Sequence, residues 1–155
     1  MKLIIAPHVV NDGHLKEIEA KLQRSSIRYT KATEENVQQA DCLIIDCYGL
    51  LSSIYRYGEI SYIGGGFGVG IHNVLEAAVY GIPVIFGPNN KKFREAQHLL
   101  ANKGGFEING YEDFEQLMNR FLRDEVYLKQ SGKAAGDYVK GNAGAMEKIM
   151  KRVTL

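Results

Sequence analysis

His72, Asn73 and Glu76 stand at the head of an apolar helical pattern, directly after a run in which Gly64, Gly65, Gly66, Gly68 and Gly70 are crowded together. Such a run lets backbone N–H groups approach a ligand without obstruction by Cβ atoms. A helix that starts there adds its unpaired donors and the positive end of its dipole, so an anion, a phosphate above all, is stabilised. Asn73 and Glu76 are three residues apart and share a helix face. One reading makes Asn73 the N-cap and Glu76 the return acceptor of a capping box. The other has Glu76 accepting hydrogen bonds from the vicinal hydroxyls of a ribose. The glycines match no strict dinucleotide fingerprint, since Val69 stands where the third glycine would be, and no P-loop lysine follows. A tight strand-to-helix connection is their plainer alternative.

The elements that must position these residues alternate in type. A strand at 60–63 precedes the glycines. A helix over 72–80 has Val74, Leu75, Ala78 and Val79 at helical spacing and is closed by Gly81, and a buried strand follows at 83–86. Upstream, strands are predicted at 2–6, 28–30 and 42–46 and helices at 12–24 and 50–57. Downstream come a helix at 90–103, a strand at 105–108, a helix at 112–123, and a last helical region from Glu125 to about Arg152 with a break near Gly141–Gly144. The pattern is that of an α/β chain, a Rossmann-like parallel sheet with helices on both faces. Ligands of such sheets sit beyond the carboxyl ends of the strands. His8, Asp46, Gly64 to Gly70 and Gly87 to Asn90 all fall at strand ends and are expected to line one crevice.

The chain has 155 residues, one domain's worth, and a domain of this size buries roughly 68–70% of its unfolded surface. A single unit over residues 1–155 is therefore expected. Lysine plus arginine number 19 against 18 acidic residues, a balance that argues against a general nucleic-acid binder. Cys42 and Cys47 have neither redox-pair nor zinc-knuckle spacing and read as small reduced residues of a cytosolic protein. Nothing at the N-terminus resembles a signal peptide, and no apolar stretch approaches the roughly 20 residues that span a bilayer.

The segment resembles the nucleotide-binding half of two-domain GT-B glycosyltransferases, and in detail the C-terminal domain of the Kdo transferases, which move 3-deoxy-D-manno-octulosonic acid (Kdo) from CMP-Kdo to lipid A precursor. Gly65, Gly66, Phe67, Gly70, His72, Asn73, Leu75, Glu76, Ala77, Ala78, Gly81, Pro83, Val84, Gly87, Pro88, Phe93 and Glu95 carry the resemblance. The Glu-Ala-x-x-x-Gly-x-Pro-Val part recurs in many sugar-nucleotide transferases, whereas the His-Asn-x-Leu-Glu extension is far more specific. Ile4 to His8 and Leu43 to Asp46, with Gly49 and Leu50, match more loosely. His8 replaces the arginine of many members, Asp46–Cys–Tyr–Gly–Leu–Leu51 departs from their Asp-Thr-x-Gly-Glu-Leu, and the loop from Phe67 to His72 is shorter and more apolar than theirs.

What the resemblance implies is a donor-binding domain that binds CMP-Kdo, with the N-terminal acceptor domain and its general base absent from this chain. Donor-binding positions would be His8, Gly65, Gly66, Phe67, Gly68, Gly70, His72, Asn73, Glu76, Asn89 and Glu95. No catalytic residue, metal site or cofactor is expected here. The parent enzyme would transfer Kdo with inversion at the cytoplasmic face of the inner membrane, in lipopolysaccharide synthesis, and this chain alone would bind nucleotide and turn over poorly or not at all. His8 reads equally as an exposed loop histidine, Asn89 to Lys92 as solvated caps, and Glu95 as a first-turn acid. Lys140, Lys148, Lys151 and Arg152 suit either anionic headgroups or a solvated helix face. Two rivals remain: a UDP-sugar transferase or 2-epimerase domain, and a non-catalytic Rossmann-like module.

Overall fold

The computed structural model describes residues 2–144. The chain forms two compact units, residues 1–54 and 55–155. Each contains a parallel three-stranded sheet. The basic positions Lys148, Lys151 and Arg152, and the part of the last helical region expected beyond Gly144, lie outside the described residues.

In the first unit β1 (Leu3–Ile5), β2 (Ser26–Arg28) and β3 (Cys42–Ile44) pair in the order β1-β3-β2. Register sets Leu3 and Ser26 beside Cys42, and Ile5 and Arg28 beside Ile44. Helix α1 (Asp12–Lys21) starts where the Asn11 side chain accepts the His14 N–H at 2.9 Å. It buries Leu15, with Ile18 and the following Leu22, against Ile5, Cys42 and Ile44. This apolar stripe at helical spacing holds the helix on the sheet. Helix α2 (Glu34–Gln39) is held by a capping box between Thr33 and Asn36. It was not expected, because its only aliphatic side chain is Val37. Residues 50–57 split into α3 (Leu51–Ile54) and a 3₁₀ turn at Tyr55–Tyr57.

In the second unit β4 (Ser61–Ile63), β5 (Val84–Phe86) and β6 (Gly105–Glu107) lie in that order. All of β5 is buried, as befits a central parallel strand covered on both faces. On one face Ile63, Val84 and Phe86 pack with α4 (Leu75–Ala78), α5 (Arg94–Ala101) and α7 (Glu125–Asn142). On the other, Ile85, Phe106 and Ile108 meet Phe114, Leu117, Met118 and Phe121 of α6 (Tyr111–Arg123) and the first turns of α7. Helices thus cover both faces. Helix α7 lies close because Ser131, Gly132, Ala135 and Gly136 form its buried face.

Helix α4 is shorter than the predicted 72–80. The amide of His72 turns back to the carbonyl of Gly64 at 3.2 Å, so residues before Val74 stay out of helix. Its close matches expectation: Gly81 has φ +70°, a conformation that favours glycine after a helix. Helix α5 likewise starts at Arg94 rather than Asn90, since residues 90–93 form turns with the Phe93 amide on the Asn90 carbonyl.

Candidate functional site

The carboxyl ends of β4 and β5 are joined through their loops. Gly66 and Gly87 touch backbone to backbone, so that a Cβ on Gly66 would fall 2.5 Å from the Gly87 nitrogen. The Phe67 ring lies against Gly87, and Gly70 sits under the Phe93 ring. Asn89 completes the connection: its amide N–H donates to the Gly66 carbonyl at 2.9 Å and its Nδ2 to the Gly68 carbonyl at 2.5 Å. Gly65, Gly66, Phe67, Gly68, Gly70 and Asn89 are therefore brought into one packed surface, with Phe67 half-exposed at 53%.

Part of the expected array of ligand-facing amides is used internally. Gly68 and Gly70 both donate to the Gly65 carbonyl, at 2.9 and 3.2 Å. The Leu75 N–H, first in α4, is accepted by Asn73 Oδ1 at 3.0 Å. A four-residue helix also has little macrodipole to offer. An anion at this loop would be met by fewer backbone donors than the glycine count suggests, and side chains must supply more of its recognition.

Those side chains stand next along the chain. The exposed His72 ring lies beside Gly64 and Gly65, with its Cδ2 within 4 Å of a Cβ built on either. Asn73 Nδ2 donates to Glu76 Oε1 at 3.0 Å, and Glu76 is half-buried. The expected capping box is not formed, since the N-cap of α4 is Val74 with no side-chain bond; Asn73 instead holds both the Leu75 amide and the Glu76 side chain, which is compatible with a ribose-binding carboxylate. Tyr55 is close by: burial chiefly, and then the negative charge of Glu76, keep its phenol protonated above the usual tyrosine range. Its place beside Glu76 had no signal in the sequence, because it comes from a 3₁₀ turn distant along the chain.

Behind the loop is a network that the sequence did not reveal. Asn90 is fully buried. Its Nδ2 donates to the Gly87 carbonyl at 3.0 Å and to Glu107 Oε2 at 2.6 Å, while Gln97 Nε2 donates to its Oδ1 at 2.6 Å. One amide thereby ties the ends of β5 and β6 to α5. Glu95 stands exposed in the first turn of α5.

His8 and Asp46 belong to the first unit. His8 is exposed in the loop after β1. Asp46 follows β3 and accepts both the backbone N–H and the hydroxyl of Thr30. Partial desolvation, the largest single influence, works against its charge, but the two bonds from Thr30 together with its own backbone N–H and the Arg28 charge hold the carboxyl below the usual aspartate range. Among the described residues no group of three or more His, Cys, Asp or Glu side chains is arranged to hold a metal ion, and no helix is long and apolar enough to cross a membrane.

No protein-family model matches the chain. It is similar to 3-deoxy-D-manno-octulosonic acid transferases of several bacteria. With that of Aquifex aeolicus (strain VF5) it shares 29% identity over 136 residues, 86% of this chain and 37% of the relative. With that of Chlamydophila psittaci (strain ATCC VR-125 / 6BC) it shares 34% over 92 residues, 57% of this chain and 21% of the relative. The Rickettsia felis (strain ATCC VR-1525 / URRWXCal2) transferase is 30% identical over 117 residues, 74% of this chain and 25% of the relative. The chain thus spans between about a fifth and somewhat over a third of the length of these relatives. Its fold resembles the crystal structure of the C-terminal CMP-Kdo binding domain of WaaA from Acinetobacter baumannii, with a TM-score of 0.70 and 18% identity over 88% of this chain and 72% of that one. The chain is thus related in sequence to a portion of the 3-deoxy-D-manno-octulosonic acid transferases, and its α/β fold is similar to that of the C-terminal CMP-Kdo binding domain.

Proposed function

We propose that this chain is the donor-binding part of a glycosyltransferase that moves Kdo from CMP-Kdo to a lipid A precursor. The observation that carries the reading is the relationship to Kdo transferases over 86% of the chain. The neighbour described as a CMP-Kdo binding domain supports it through the shared fold. Residues 1–155 would act together as one nucleotide-sugar-binding domain, with the acceptor and the general base supplied from another domain of the parent enzyme, working at the cytoplasmic face of the inner membrane.

On this reading Glu76 accepts hydrogen bonds from the ribose hydroxyls of CMP. A half-buried carboxylate beside an exposed loop can do so, because bonds to a charged acceptor are roughly twice as strong as neutral ones. His72, beside the glycine loop, would meet the phosphate or the Kdo carboxylate, and Gly65, Gly66, Phe67, Gly68, Gly70 and Asn89 would form the surface on which the donor rests. Glu95 would add a further donor contact. As CMP departs, its growing phosphate charge would be met by the His72 side chain and by those loop amides that are not turned inward. The donor carries its own leaving group, so the reading needs no resident cofactor or metal.

The test is calorimetric titration of this chain with CMP, UDP and NAD, repeated with Glu76→Ala. The expected result is preference for CMP and a loss of about tenfold or more in affinity for the variant, the size of one or two charge-assisted hydrogen bonds. Preference for UDP would point to a UDP-sugar transferase or epimerase domain, and preference for NAD to a dinucleotide module; either would overturn the CMP-Kdo assignment.

A further inference from the structure

Asn73 is committed at both ends of its amide. Oδ1 accepts the Leu75 N–H and Nδ2 donates to Glu76 Oε1, each at 3.0 Å. This orientation is dictated by chemistry, since a backbone N–H only donates and an ionised carboxylate only accepts. Glu76 has three rotatable side-chain bonds, and fixing a free glutamate costs rotamer entropy. The bond from Asn73 already restricts that motion. Tyr55, from a second element, packs on the same core cluster as Leu75, the residue before Glu76.

We propose that Asn73 is a positioning residue that acts through Glu76: its Nδ2 fixes the carboxylate in place before a nucleotide arrives. This rests on the reading of Glu76 as the ribose acceptor and departs from the expectation that Asn73 itself touches the donor. A carboxylate held before binding loses less freedom on binding, so the gain appears as affinity.

The experiment combines CMP calorimetry and thermal melts on the parent chain and on Asn73→Ala, Asn73→Asp, Glu76→Ala, the Asn73→Ala/Glu76→Ala pair and the Asn73→Asp/Glu76→Gln pair. Asn73→Asp keeps an oxygen for the Leu75 amide but sets a like charge against Glu76, so it should melt with the parent yet bind CMP about tenfold more weakly. Asn73→Ala should weaken binding comparably and add no loss once Glu76 is alanine. In Asn73→Asp/Glu76→Gln the donor and acceptor are exchanged, and part of the affinity should return. An additive loss in the Glu76→Ala background would show that Asn73 contacts the nucleotide directly and would overturn the proposal. Parent-like binding by Asn73→Asp would reduce Asn73 to a helix cap and also overturn it. Both results leave the donor reading standing. A parent chain that binds no CMP, or a Glu76→Ala variant that binds it as the parent does, would instead remove the reading on which the proposal rests.

Discussion

Gly66 and Gly87 are in direct backbone contact: a Cβ on Gly66 would lie 2.7 Å from the Gly87 Cα, and one on Gly87 would lie 2.6 Å from the Gly66 carbonyl carbon. The ends of β4 and β5 approach this closely only because neither residue has a side chain. Gly68 differs, for a Cβ there meets nothing nearer than the Gly65 carbonyl at 3.6 Å. We predict that Gly66→Ala costs about 1–3 kcal/mol through overpacking, which lowers the melting temperature by several degrees. Gly68→Ala should fall within about 0.5 kcal/mol of the parent. Equal melting temperatures for the two variants would show that the contact is not a constraint.

Asn90 leads to a second prediction. Replacing it with alanine leaves the Gly87 carbonyl without its side-chain partner in the buried interior, takes from the half-buried Gln97 amide one of its two acceptors while the Asn90 backbone carbonyl at 3.3 Å stays, and frees Glu107 from β5. Each buried polar group left unpaired costs about 1–3 kcal/mol. Glu107 is exposed and water can serve it, and Gln97 keeps the backbone carbonyl, so the loss should be about 1–3 kcal/mol. Urea unfolding of Asn90→Ala against Asn90→Ser measures it, and serine should restore little because its hydroxyl cannot reach three partners. A loss below about 0.5 kcal/mol would mean that water replaces the amide.

Which parts of this were legible in the sequence follows from what each residue reports locally. Cys42–Ile44 and Val84–Phe86 are continuous apolar runs, and central parallel strands read that way. Gly81 after an apolar stripe marked the end of α4 for a reason of dihedral angle alone. The start of α4 was not legible, since it is fixed by the return of the His72 amide to Gly64. Asn90 looked like solvated polar sequence before two lysines, and only tertiary packing buries it. Helix α2 has one aliphatic side chain and hence no stripe to read; its signal is the Thr33–Asn36 capping box, which uses asparagine where glutamate or glutamine is usual. The glycine loop and the His72, Asn73, Glu76 set were visible as types and spacing. That two of its glycine amides face inward, toward Gly65, was not.

Arg28 provides a prediction about acid. Its side chain is 12% exposed and donates to Asp12 at 2.7 Å and to Glu19 at 2.7 and 2.9 Å. Hydrogen bonds from Lys16 first and Arg28 next lower the Asp12 carboxyl to about 2. The bond from Arg28 also lowers that of Glu19. Because the folded values are depressed, the unfolded chain binds more protons, and stability rises with pH through the window. The contribution is complete above about pH 5 and disappears as pH falls toward about 2. In Arg28→Met the Glu19 part and the smaller share of the Asp12 part should be missing while the Lys16 bond to Asp12 stays, so melting temperatures of variant and parent should differ most at neutral pH and converge near pH 2. A gap of constant size across that range would assign the loss to packing of the arginine stem instead. High salt should narrow the gap as well, since the carboxylates are partly exposed.

Asn89 separates loop order from fold stability. Its side chain makes one bond to the loop, from Nδ2 to the Gly68 carbonyl, while its backbone amide separately holds the Gly66 carbonyl. Alanine removes the first bond and keeps the second. The residue is exposed, so water can satisfy the freed carbonyl and the stability change should stay near 0.5–1 kcal/mol. Ordering the loop, however, must then be done at the expense of binding, and CMP affinity should fall by roughly three- to tenfold. Asn89→Asp should fare no better, because its carboxylate would be set against the Gly68 carbonyl. If CMP binds both variants as tightly as the parent, the segment from Gly66 to Gly70 is a structural connection and the nucleotide is held by the α4 side chains alone.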